Sequence, residues 1–152
     1  MAWEDEELAA YERKRTEANE RNLLSVQRNR MLEEQHEKQW IALRTEILET
    51  FQLLNEKAGR IITQSRTHQV YELRIQREDR EELQAEYDAE TRAVTFTSES
   101  NSFDEISFGL TVHPVQGNDR LVWSTIGKNS EDLSKEQVSK NIVSKFLRVA
   151  TF

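Results

Sequence analysis

Cysteine is absent from all 152 residues, which removes disulfides, thiolate nucleophiles and zinc–thiolate sites together. Proline occurs once, at Pro114, and glycine four times, first at Gly59, so residues 1–58 contain neither helix breaker. No apolar run approaches the ~20 residues needed to span a bilayer. No Asn-x-Ser/Thr sequon occurs, and MAWEDEELAA lacks the basic and apolar regions of a signal peptide. A soluble, cytoplasmic protein without membrane association is expected.

Large apolar residues are scarce in one place above all. Residues 12–22 contain a single alanine and nothing larger that is apolar, whereas an apolar stripe begins at Trp40. Charged residues make up 32% of the chain, above the usual ~25%. The net charge of −7 is uneven: residues 1–36 carry 6 basic and 9 acidic groups, and residues 69–131 carry 6 and 13. An acidic middle disfavours a phosphate backbone, so no nucleic-acid partner is expected.

What is present before Gly59 is Ala, Leu, Glu, Arg, Lys and Gln, opened by Glu4, Asp5, Glu6 and Glu7 where a helix N-terminus favours negative charge. This predicts a helix from about residue 3 to 58 or beyond. Trp40, Leu43, Ile47, Phe51, Leu54, Ala58 and Ile61 step by three or four and form one stripe, so this half must pack on something. Upstream, a heptad seam through Tyr11, Ala18, Ser25 and Leu32 has a mostly polar companion line and supports a long coiled coil only weakly.

The period then falls to two. VYELRIQ (70–76), ELQAEYD (82–88), RAVTFTS (92–98), EISFGLTVH (105–113) and RLVWSTI (120–126) alternate apolar with polar and are joined by short polar connections. In the last segment Ser134 and Gln137 fit a capping box, with Val138, Ile142, Phe146 and Val149 on one helical face. The fold class expected is α+β: a long N-terminal helix, a five-stranded antiparallel meander, and a C-terminal helix on the same sheet face in a two-layer sandwich. The expected division is an extended helical arm, residues 1–36, and an α+β domain, residues 37–152. The domain holds a helix over 37–66, strands over about 70–126 and a helix over 132–150.

Motifs that could carry chemistry are thin. Gly127-Lys128-Asn129-Ser130 resembles the end of a phosphate-binding loop, but Val122 stands where its first glycine belongs and Asn129 where Ser or Thr should follow lysine. His36, His68 and His113 have no spaced co-ligands, so no metal site and no cofactor are expected. The acidic run Glu78, Asp79, Glu81, Glu82 lacks the turn glycine and alternating ligands of a calcium loop. Lys14, Arg21 and Arg28 repeat every seven residues without interleaved aromatics and read as a solvated face. No Gly-x-Ser-x-Gly elbow occurs, and no catalytic residue is assigned.

The apolar residues of the arm are the remaining signal. Trp3, Leu8 and Tyr11 form one patch, and Leu23, Leu24, Met31 and Leu32 a second, on either side of the polar stretch. Helices gain most of their stability from tertiary packing, and a second copy of the chain is the simplest partner. The expectation is a non-enzymatic interaction protein, a small domain displayed on a self-associating arm, with a dimer favoured and these seven residues in contact. The alternatives are an adaptor- or chaperone-like binder of another protein, and a small-ligand module or enzyme using Tyr71, Tyr87, His113 and Trp123 at the sheet edge.

Overall fold

The computed structural model describes residues 2–100, 102–114, 119–127 and 130–149. The chain divides into two compact units, Met1–Glu34 and Gln35–Phe152, with helix α1 (Trp3–Ala58) running from the first into the second. In the first unit every described residue before Glu34 belongs to α1 except Ala2. Glu4, Asp5 and Glu6 occupy its first turn, as the macrodipole favours.

In the second unit the stripe from Trp40 meets its core: Trp40, Leu43, Ile47 and Phe51 are buried. It then stops short of the expected course. Gly59 has φ +68°, the left-handed conformation that ends helices at little cost for glycine. The helix expected over 37–66 therefore ends at Ala58, and Ile61, placed on the stripe, is exposed. Asn55 organises the reversal: its side-chain oxygen accepts from the Ile62 and Thr63 amides at 2.9 and 3.1 Å, and its amide donates to the Thr63 carbonyl.

Among the described residues seven strands follow, not five. They are β1 (Thr63–Ser65), β2 (Glu72–Arg77), β3 (Glu82–Asp88), β4 (Ala93–Ser98), β5 (Ile106–His113), β6 (Arg120–Thr125) and β7 (Asp132–Leu133). The sheet is an antiparallel meander in chain order, β1 to β7. The two additional strands are its short edges, three and two residues long, which is too little for a two-residue period to register. Asp132 and Leu133 thus pair with β6 rather than opening the last helix, which is α2 (Lys135–Leu147) instead of the expected 132–150. Ala150 lies outside the described residues.

Alternation decides the faces. Leu73, Ile75 and Arg77 of β2, Leu83, Ala85 and Tyr87 of β3, and Val94 and Phe96 of β4 are buried, and their neighbours in sequence are not. The side chain of Trp40 stacks on Tyr87, while the Phe146 ring of α2 lies under the Arg77 guanidinium. Both helices thus touch inward-pointing residues of the same sheet. They also meet each other: Phe51 and Phe146 pack edge to face with centroids 6.1 Å apart, and Thr50 and Ser139 hydroxyls share a 3.0 Å hydrogen bond. The capping box at Ser134 and Gln137 is present, and Val138, Ile142, Phe146 and Val149 are all buried.

Candidate functional site

Three of the four residues singled out for ligand binding come together around Tyr87, an inward position of β3. Trp40 stacks on its ring nearly parallel at 5.3 Å, Tyr71 lies at 5.8 Å, and Trp123 of β6 meets it edge-on at 6.4 Å. His36 closes the group, its Nδ1 2.9 Å from the Tyr87 hydroxyl. The Trp40 indole donates to the Val70 carbonyl at 2.7 Å, so the polar edge of that ring is satisfied as well.

These rings form a packed nucleus, and Tyr87 also lines an open cleft of about 480 Å³ shared with Glu86, Asp88 and Thr91. Tyr87, Trp40 and Trp123 are buried, and burial pushes the Tyr87 hydroxyl up to about 12. A phenol that holds its proton so firmly is a poor base near neutrality. Its partners are rings that already fill each other's faces. His36 is half-buried against Tyr87. The signal was its spacing: it precedes Trp40 by four residues and so shares the face that packs.

His113 does not join them. It points outward from β5, exposed, with Nδ1 2.8 Å from Asp132 of β7. Asp132 also accepts from the Ser124 hydroxyl at 2.7 Å, and that hydroxyl shares a 2.9 Å hydrogen bond with Thr111. The hydrogen bonds from Ser124 and, second, from His113 hold the Asp132 carboxyl below its usual range. The order matters chemically. In a nucleophile relay the imidazole stands between serine and carboxylate and takes the serine proton; here the carboxylate stands in the middle. An open cleft of about 510 Å³ adjoins these residues, lined also by Arg120, Trp123 and the first residues of α2.

The remaining polar clusters are structural. The acidic hairpin tip is matched by arginines, Glu78 to Arg60, Asp79 to Arg77 and Glu82 to Arg74, and Glu81 accepts from Ser98. His68 lies at a turn closed by Glu72, whose carboxylate accepts from the His68 and Gln69 amides; the His68 amide above all draws its pKa down. Among the described residues no group of three His, Asp or Glu could hold a metal, and no helix is long and apolar enough to cross a membrane. Lys128 and Asn129 of the phosphate-loop resemblance lie outside the described residues.

The arm presents a different kind of surface. Trp3, Leu8, Tyr11, Leu23 and Leu24 are exposed by 46 to 69%, and Met31 and Leu32 are half-buried. Val26, not among the expected contacts, is exposed too. Single exposed apolar residues are ordinary on a protein surface, but six large ones within 24 residues of a single helix are not.

No protein-family model matches this chain, and no curated protein or solved structure is similar to it at a significant level.

Proposed function

We propose that the protein is a non-enzymatic interaction protein of the cytoplasm that associates with a second copy of itself through the arm, residues 1–36, and displays the α+β domain of residues 37–152. The observation that carries this reading is the exposure of Trp3, Leu8, Tyr11, Leu23 and Leu24 on a helix whose intervening residues 12–22 offer almost nothing to bury. A helix so composed is marginal alone in water, and pairing gives its apolar residues a place out of solvent.

The test is the mass in solution by light scattering. Wild type is expected at twice the chain mass, and Leu24→Glu with Met31→Glu at the chain mass with the domain's melting transition retained. Each substitution removes ~1.5–3 kcal/mol of apolar burial and places a charge in the contact, twice over in a symmetric dimer. A wild-type monomer at about 50 μM, a concentration well above a micromolar Kd, would end the proposal.

A second reading, a ligand module or enzyme at the sheet edge, draws on the open cleft beside His113 and Asp132. Thermal stabilisation by a small-molecule library that His113→Ala abolishes would favour it. Unchanged binding in that variant would leave it without its central residue.

A further inference from the structure

The arm carries a mirror pattern along its length. Trp3, Ala10, Glu17, Leu24 and Met31 succeed one another at multiples of seven, which makes one line of a helix wound around a partner at 3.5 residues per turn. Reflected about Glu17, Trp3 falls on Met31 and Ala10 on Leu24. A twofold interface has this property by construction, since residue i meets residue j and residue j meets residue i. Tyr11 and Leu23 lie on opposite flanks of that line, and Leu8 and Val26 on the far side of the helix, so the seam itself is made by the residues on the line.

Charge follows the same reflection. Residues 4–12 carry five acidic groups and no basic one, whereas residues 22–31 carry Arg28 and Arg30 and no acidic one. A parallel pair in register would lay the five carboxylates beside five more. An antiparallel pair lays them beside the arginines, with Glu7 next to the partner's Arg28 on one flank of the line and Arg13 next to the partner's Glu20 on the other. At the centre the pairing is less favourable, because Glu17 meets its own copy and Lys14 lies beside the partner's Arg21. The contact is therefore strongest toward the two ends, where the apolar patches lie.

Resting on the self-association reading above, we infer that two arms pair antiparallel about a twofold axis at Glu17. The two Glu34 residues that end the arms then stand at opposite ends of the pair, about 50 Å apart at ~1.5 Å per residue, where a parallel pair would bring them together. The occupant of the arm's apolar line is thus a second copy of this chain in one defined register.

The natural absence of cysteine permits a direct test. Helix axes ~8–10 Å apart, less two ~2.3 Å radii, leave facing Cα atoms about 3.4–5.4 Å apart, within or close to disulfide reach. Full-length Ala10→Cys and Leu24→Cys chains are mixed, allowed to exchange and oxidised. A covalent dimer containing one chain of each kind is expected, with little product from either variant alone. Abundant dimer from Ala10→Cys alone would overturn the antiparallel sense in favour of a parallel pair. Absence of the mixed product, with light scattering still at twice the chain mass, would overturn the register while leaving self-association intact. A monomeric wild type would overturn both.

Should the cysteines themselves disturb association, charge reversal decides. Glu7→Lys or Arg28→Glu alone is expected to raise Kd about tenfold, since two surface pairs turn repulsive at once. The double reversal should restore Kd. Residues 7 and 28 are too far apart along one helix to meet, so restoration can only come from the partner. A double variant as weak as the singles would overturn the register.

Discussion

Removing either ring of the Phe51–Phe146 pair tests the joint between α1 and α2. Phe51 is 3% exposed and Phe146 fully buried, and the rings meet edge-on at 89° with centroids 6.1 Å apart. A buried phenylalanine takes ~150–200 Å² out of water, worth about 4–5 kcal/mol at ~25 cal/mol per Å². Alanine keeps a little of that burial, whereas the cavity left behind adds to the loss, so ~3–5 kcal/mol is expected for each substitution. The double variant should lose less than the sum by about 0.5–1.5 kcal/mol, the scale of an edge-to-face aromatic pair. Urea unfolding followed by tryptophan fluorescence reads these values, provided the slope m stays constant. Loss below ~1 kcal/mol at either position would mean that the helix carrying it does not face the core. Strict additivity would mean that the rings do not touch.

Arg77 and Tyr87 give two further expectations. Arg77→Met removes a guanidinium that pairs with Asp79 and donates at 2.7 Å to the Phe146 carbonyl in the last turn of α2. The expected loss is about 2–4 kcal/mol, read as a lower urea midpoint, and a shift under ~0.5 kcal/mol would refute the role given to this contact. Burial raises the Tyr87 pKa to about 12, above its unfolded value near ~10, so the stability it contributes is complete below pH ~10 and is lost as pH rises toward 12. About 1–2 kcal/mol should go over that range, less than a full two-unit shift implies because the hydroxyl's neighbour His36 is only half-buried. In Tyr87→Phe that part of the alkaline loss should vanish, and an unchanged pH profile would show that the phenol titrates freely.

The long helix was readable because a segment free of glycine and proline and rich in strong helix formers leaves the backbone few alternatives. The five longer strands were readable because burial of one sheet face forces a two-residue alternation, as in Leu73, Ile75 against Arg74, Gln76. What escaped was held by tertiary contact. Thr63 is a strand residue because the Asn55 amide binds its backbone and β2 pairs with it, and nothing in Thr-Gln-Ser alone specifies that. Arg77 broke the apolar pattern of β2 yet lies buried, since Asp79 and the end of α2 supply partners that a linear reading cannot place.

The candidate site divides along the same line. Tyr71, Tyr87 and Trp123 were legible as aromatic positions of alternating segments, whereas the packing of Trp40 and His36 from α1 against the Tyr87 ring was not. His113 ends an alternating segment and stands exposed there, bound to a carboxylate in a strand too short for a two-residue period to register. The arm differs from both, because nothing within the chain explains its apolar residues. Trp3, Leu8, Tyr11, Leu23 and Leu24 are exposed, and the spacing of Trp3 with Met31 and of Ala10 with Leu24 about Glu17 is one that two antiparallel arms would use. Such spacing has a symmetric meaning in two copies, and the proposal that the arm is an interface rests on it.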